Sequence, residues 1–239
     1  MVRFMSTQSL LSRVGTRRSQ FLLPVLGGLW LLALAPGVRF LLAYEHTPGR
    51  QAASPSAWPR EARFAGDPHR PTLLVALHPR CSCSQATLAE LEEAAPAFTQ
   101  PYNAILLIDQ PHGAHFDWHT VSFYREAQQA LHAQVVLDED GQSASRFGAF
   151  TSGDVRFYTA EDSTSTRTLR FAGGVTGSRG MIGDNPGIEA LRRAFHDDAQ
   201  GTRPAAPART PVFGCGLTMA AAPSTRQNGD APASRGKQR

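Results

Sequence analysis

The sequence FLLPVLGGLWLLALAPGVRFLLAY, residues 21–44, is apolar almost throughout, with Arg39 and the Tyr44 phenol as its only ionisable side chains. A helix of roughly 20 such residues crosses a hydrocarbon core about 30 Å thick, and Arg39, near the far end, can extend to the interface. Ala33-Leu34-Ala35 also has the small-x-small form of a secretory cleavage site, but Pro36 directly behind it disfavours processing. The pattern predicts an uncleaved single-pass anchor over 21–44. Residues 1–20, with Arg13, Arg17 and Arg18, stay in the cytoplasm, and the rest of the chain lies on the outer, periplasmic side.

Beyond the anchor the periodicity changes. Residues 45–71 hold five prolines and little apolar rhythm, which predicts an extended spacer. TLLVAL (72–77) and NAILLID (103–109) are continuous apolar runs, the mark of strands buried on both faces. Between them Leu88, Leu91, Ala95 and Phe98 recur at helical spacing. A second helix is predicted over 118–132, a third strand over 135–138, a short helix through Phe147, and a hairpin from DVRFYTA and RTLRFAG. A last helix follows DNPG, with Ile188, Leu191 and Phe195 on one face. The order is α/β in one domain, residues 72–198. Residues 199–239 turn to Ala, Pro, Arg and Ser and predict a largely disordered tail, interrupted by one apolar island, TPVFGCGL, whose Val212, Phe213 and Leu217 predict that it docks with its cysteine, Cys215, back on the domain.

Composition alters this picture in two places. The formal charge of +4 over 239 residues comes partly from arginines at the two ends, and no basic stripe interleaved with aromatics runs through the middle, so nucleic-acid binding is not expected. The three cysteines, outside the cytosol, lie where disulfides form and persist, and their odd number leaves one thiol over.

Two of those cysteines stand in HPRCSCSQATLAEL, between a buried strand and a helix. A thiol acts as a nucleophile only as its thiolate, and a helix N-terminus favours that anion. Ser82 and Gln85 fit a capping box, which places Cys83 in the first turn and Cys81 just before it, the more exposed of the two. Arg80 and His78 add positive or ionisable groups. A disulfide across one intervening residue would close a strained, readily reduced ring. His112, His115 and His119, at spacings of three and four, would share one face if their segment were helical, as a metal site needs.

An apolar strand running into cysteines at a helix start resembles the thioredoxin-like fold over about 72–198. HPRCSCSQATLAEL, DEDGQSASRFGAFTSGDVRFY, GGVTGSRGMIGDNPG and TPVFGCGL are similar to segments of membrane-tethered RedB-type proteins. The resemblance implies that Cys81 is the nucleophile. Ser84 stands where the resolving cysteine of a C-x-x-C pair would be, so that Cys83 or Cys215 resolves instead. Thr151-Ser152-Gly153 stands where the family usually carries a cis-proline. The loop GGVTGSRGMIGDN would leave the sheet on the cysteine-bearing edge and bring Arg179, Asp184 and Asn185 there, unless Asp184 or Asn185 simply caps the last helix. Arg80, Thr151, Ser152 and Arg179 are then the candidate substrate-binding residues.

The expected function is thiol-disulfide exchange on protein partners at the membrane, without a cofactor. The alternative is copper handling, with Cu(I) held by Cys81, Cys83, His78 and Cys215, because thiolates are preferred Cu(I) ligands. A third possibility is an assembly factor that uses the fold as a docking surface.

Overall fold

A computed structural model describes residues 11–62, 64 and 66–218, with 11–22 described by their backbone alone. The chain divides into two units, Met1–Thr47 and Pro48–Arg239. In the first, the apolar run is part of one helix, α1 (Leu11–Glu45), which begins ten residues ahead of that run. Residues 1–10 of the predicted cytoplasmic segment lie outside the described residues. From Leu23 to Glu45 the helix is long and apolar enough to cross a membrane, by length and composition. Trp30, Leu32 and Phe40 are all exposed, whereas a helix packed in a soluble domain would set one face on a core.

The second unit is built on one sheet. Its elements are β1 (Thr72–Leu77), α2 (Ser82–Ala94), β2 (Asn103–Gln110), α3 (Ser122–Ala130), β3 (Gln134–Glu139), α4 (Gln142–Arg146), β4 (Asp154–Tyr158), β5 (Leu169–Gly173), α5 (Pro186–Ala199) and β6 (Ala208–Arg209). The strand order is β3-β2-β1-β4-β5-β6. β1, β2 and β3 are parallel, β4 is antiparallel to both β1 and β5, and β6 is parallel to β5. β5 therefore runs in the direction of β1, and the loops leaving both open on the same edge. β1 is inside the sheet and every residue of it is buried, which is why its sequence shows no polar alternation.

The sheet separates two clusters of apolar side chains. On one face Leu73, Val75 and Leu77 meet Leu88 and Leu91 of α2, Tyr124 of α3, and Ile188, Leu191 and Phe195 of α5. On the other, Leu74, Ala76, Ile105 and Leu107 meet Phe147, Tyr158 and Leu217.

Three expectations need correction. The stretch predicted as an extended spacer is instead a strap across the second face, from Gln51, bridged to Ala149, to Ala57, bridged to Thr168. Trp58 packs edge-on against Phe147 and Tyr158, with ring centroids 4.8 and 5.2 Å apart. The five-residue α4 is the only helix on that face among the described residues, so apolar surface remained for Trp58 and Phe64 to cover. The tail is likewise ordered as far as Thr218: Ala208–Arg209 adds β6 to the sheet, and Val212, Phe213 and Leu217 are buried. The helix expected over 118–132 splits into a short 3-10 turn, Trp118–Thr120, and α3, because Val121 between them is extended, with φ −107° and ψ 115°.

Candidate functional site

The loop after β1 is fixed mainly by one buried serine. Ser84 donates to the His78 carbonyl and accepts from the His78 N–H, both at 2.9 Å, and its oxygen lies 2.8 Å from that of Ser152. The Tyr124 hydroxyl donates to the same His78 carbonyl at 2.9 Å. The residue standing in the place of a resolving cysteine is thus a structural tie.

That tie sets the register of α2. Cys81 itself is the N-cap, with extended φ −112° and ψ 127°, and no side-chain oxygen caps the helix. The capping box read from Ser82 and Gln85 is therefore displaced by one residue. Gln85 N–H makes a turn bond to the Cys81 carbonyl at 3.3 Å. A sulfur occupies the position where a carboxylate or hydroxyl normally accepts first-turn N–H groups.

The tail comes to this sulfur from the far end of the sequence. Thr210 donates its hydroxyl to the Gly174 carbonyl at 2.8 Å, and Arg179 donates through its guanidinium to the Gly214 carbonyl. The next residues pair with the loop before β4: the Ser152 N–H donates to the Cys215 carbonyl at 2.8 Å, the Leu217 N–H donates to the Phe150 carbonyl at 3.0 Å, and Thr151 and Gly216 form an antiparallel bridge. Gly214 must be glycine here, because a Cβ would run into the Ser152 carbonyl. Gly153, at φ +86°, leads the loop into β4, and a Cβ there would meet the Thr87 hydroxyl at 2.6 Å.

The result is a sulfur pair. Cys81 Sγ and Cys215 Sγ are 2.9 Å apart, within hydrogen-bonding distance, both as free cysteines. Cys81 is 5 % exposed and Cys83 3 %, so Cys81 is the more open of those two by a narrow margin and both are buried; the exposed cysteine is Cys215.

Electrostatics divide the three thiols. Cys81 is lowered from 9.0 to about 3, mainly by the Cys83 thiol, against burial, with help from the Cys215 thiol, the Cys83 backbone N–H and the Ser152 hydroxyl. Cys83 is pushed up by its contact with the Cys81 sulfur and by burial. Cys215 is raised from 9.0 to about 11 by burial and then by Cys81, while the charge of Arg179 acts the other way. Of the three thiols only Cys81, the one at the helix start, is shifted toward its anion.

Arg80 was expected to favour that thiolate. It is exposed, its N–H donates to the ring of His78 at 3.3 Å, and the groups that lower Cys81 most are hydrogen-bond donors instead. Thr151 and Ser152 lie at the site, but their backbones are taken up by the chain's own tail, and the Thr151 hydroxyl donates to the Arg50 carbonyl at 2.8 Å. Arg179 adjoins Cys215 through Gly214. Asn185 caps α5, accepting from the N–H groups of Gly187 and Ile188 at 2.9 and 3.0 Å.

The three histidines do not form a set. His112, His115 and His119 are exposed; residues 111–117 are not helical, and Gly113 among them has φ +75°. His112 pairs instead with Glu139 at 3.4 Å, and His119 stacks on Trp118. Among the described residues no group of three or more His, Cys, Asp or Glu side chains is arranged to hold a metal ion.

Two acids at the site escaped the sequence reading. Asp109, 2 % exposed, accepts from both the N–H and the hydroxyl of Thr218. Glu90, on the buried side of α2, accepts from the Gly183 N–H, and burial raises its pKa. The signals were an acid at the end of an apolar strand, and another in phase with Cys83 and Ala94 on a helix.

No known protein family is matched by the sequence, and no curated relative is found. Solved structures are similar at a distance. A hypothetical protein from Sinorhizobium meliloti 1021 has 18 % identity and a TM-score of 0.46, covering 74 % of this chain and 96 % of its own. An uncharacterized conserved protein from Geobacillus kaustophilus has 13 % identity and a TM-score of 0.47, covering 74 % and 95 %. A secreted Mycobacterium tuberculosis disulfide oxidoreductase homologous to E. coli DsbE has 16 % identity and a TM-score of 0.34, covering 54 % and 81 %.

Proposed function

We propose that this protein is a membrane-anchored thiol-disulfide oxidoreductase of thioredoxin-like, RedB-type character. It works on protein thiols or disulfides outside the cytoplasm through a pair made by Cys81 and Cys215. The observation that carries this reading is the 2.9 Å approach of the two sulfurs, with Cys81 held as the thiolate. A thiolate beside a second thiol is one two-electron oxidation from a disulfide, and stabilising the reduced state makes such a couple a stronger oxidant. The pair used is therefore Cys81 with Cys215 rather than the Cys-x-Cys neighbours, whose disulfide would close a strained ring across one intervening residue.

The anchor rests on the length and apolar composition of Leu23–Glu45, and the periplasmic placement on the arginines that precede it. Cu(I) transfer is a second reading, supported by Cys83 as a third thiol in contact with the Cys81 sulfur.

The test oxidises the full-length chain in detergent, maps its disulfides without reduction, and equilibrates it with glutathione buffers. A Cys81–Cys215 disulfide with a defined potential, lost in Cys81→Ser and Cys215→Ser, is expected. A chain that forms no such disulfide, and binds Cu(I) tightly in a form that needs all three cysteines, would reverse the order of the two readings.

A further inference from the structure

Resting on that redox reading, we infer that Cys215, and not Cys81, is the sulfur that joins to the substrate. Thiol-disulfide exchange needs the incoming thiolate to approach in line with the bond it breaks, from the side opposite the leaving sulfur. Cys81 is 5 % exposed and stands at the start of α2 with Cys83, itself 3 % exposed, beside it. The Gly180 N–H lies against Cys83, and Cys215 touches both Cys81 and Cys83. Cys81, buried beside two other sulfurs, offers almost no open surface for an incoming thiolate to approach in line. Cys215 is exposed, and the line of attack on it, away from Cys81, comes from solvent.

The backbone around Cys215 fixes this orientation. Gly214 is held by Arg179, Cys215 by the Ser152 N–H and Leu217 by Phe150, and Thr218 by Asp109. With contacts on both sides of it, the tail cannot swing away to uncover Cys81 without breaking all of them. Its neighbours in the chain, Gly214 and Gly216, carry no side chain that would crowd an approaching partner. The substrate this admits is a protein cysteine on an extended or mobile segment.

The step balances as follows. A substrate thiolate forms a bond to the Cys215 sulfur while the Cys215–Cys81 bond breaks, and Cys81 leaves with the electron pair as a thiolate. Cys81 is the thiol of the three with the lowered pKa, and low-pKa thiols leave faster. A second substrate thiolate then attacks the substrate sulfur of the mixed disulfide, and Cys215 leaves and takes up a proton. Two substrate thiols become one disulfide, the protein disulfide becomes a thiolate and a thiol, and one proton goes to solvent. The roles are inverted relative to the sequence expectation: Cys81 is the leaving group, and Cys215 the sulfur that meets the partner.

The experiment uses the oxidised full-length chain, mixed with glutathione for milliseconds, quenched in acid, alkylated with N-ethylmaleimide and mapped. Glutathione is expected on Cys215 and the maleimide on Cys81, with an excess of about tenfold or more over the reverse pattern, in keeping with attack on one sulfur only. Glutathione on Cys81, or an even division, overturns the inference and leaves the redox reading standing. Failure to form a Cys81–Cys215 disulfide at all overturns both. Cys83→Ser, run in parallel, keeps the result readable if glutathione migrates within the protein, and the same preference for Cys215 is expected there.

Discussion

One carboxylate oxygen of Asp109 accepts both the backbone N–H and the hydroxyl of Thr218, at 3.0 and 2.9 Å. The contact joins the end of β2 to a residue three positions past Cys215, and so holds the second sulfur from the side opposite Arg179. Charge-assisted bonds are the strong ones, and this one is out of water at Asp109. In Asp109→Ala the effective concentration of Cys215 at Cys81, measured as the Cys81–Cys215 disulfide equilibrium against glutathione, should fall by about 10- to 100-fold. Asp109→Asn, which keeps an acceptor oxygen, should lose less. An unchanged equilibrium in a folded Asp109→Ala chain would remove the clamp from the account.

The strap over the second sheet face gives a stability prediction. Trp58 is half-buried, lies over Phe147 and Tyr158, and receives the Arg167 guanidinium 5.1 Å from its ring centroid. Trp58→Ala should cost about 2–3 kcal/mol, less than a fully buried Trp, and lower Tm by roughly 5–10 °C. A true extended spacer would show no change, so thermal melting of the variant separates the two descriptions.

What could be read ahead from the sequence follows the range of the interaction that decides it. TLLVAL declares a strand because burial on both faces leaves no polar alternation, and Asn185 declares a cap because its side chain bonds two and three residues on. Val212, Phe213 and Leu217 announced docking through their isolation in a polar tail, but not where they dock. The match of Asp109 to Thr218 spans 109 positions, and no local pattern marks it. Trp58 was hidden among prolines because composition averages over a single large side chain. The cap of α2 was misplaced because Ser82 and Gln85 satisfy a local rule that the Ser84 tie to His78 overrides. His112, His115 and His119 keep helical spacing in a segment that is not a helix.

Ser84 carries its own test. It is fully buried and connects the His78 N–H, the His78 carbonyl and the Ser152 hydroxyl, so its loss leaves a half-buried N–H without an acceptor. Ser84→Ala should destabilise the chain by about 1–3 kcal/mol in denaturant unfolding. It should also slow Cys81–Cys215 pairing, because the loop that aims Cys81 and the serine that hydrogen-bonds to it are both loosened. Lost stability with an unaltered pairing rate would make the serine structural alone.

The charge on Cys81 has a signature in the pH dependence of the redox couple. Cys81 is depressed from 9.0 to about 3, so its contribution to the stability of the reduced chain is fully present above about 9 and is lost as pH falls through about 3. Cys215, raised from 9.0 to about 11, and Cys83, also raised, act in the opposite sense: their contribution is present below about 9 and fades as pH climbs past it. Across pH 4 to 8, roughly, Cys81 alone is out of step with a free thiol. Carboxylates such as Glu90 titrate in both redox forms and drop out of the comparison between them. Reducing the Cys81–Cys215 disulfide in this window should therefore take up one proton for two electrons, because Cys81 stays a thiolate and only Cys215 is protonated. The midpoint potential should fall by about 30 mV per pH unit, and denaturant midpoints of the reduced chain should rise with pH relative to the oxidised one. A slope near 59 mV per unit, two protons for two electrons, would mean that Cys81 is a neutral thiol in the reduced protein, and the assignment of the charge to it would fall.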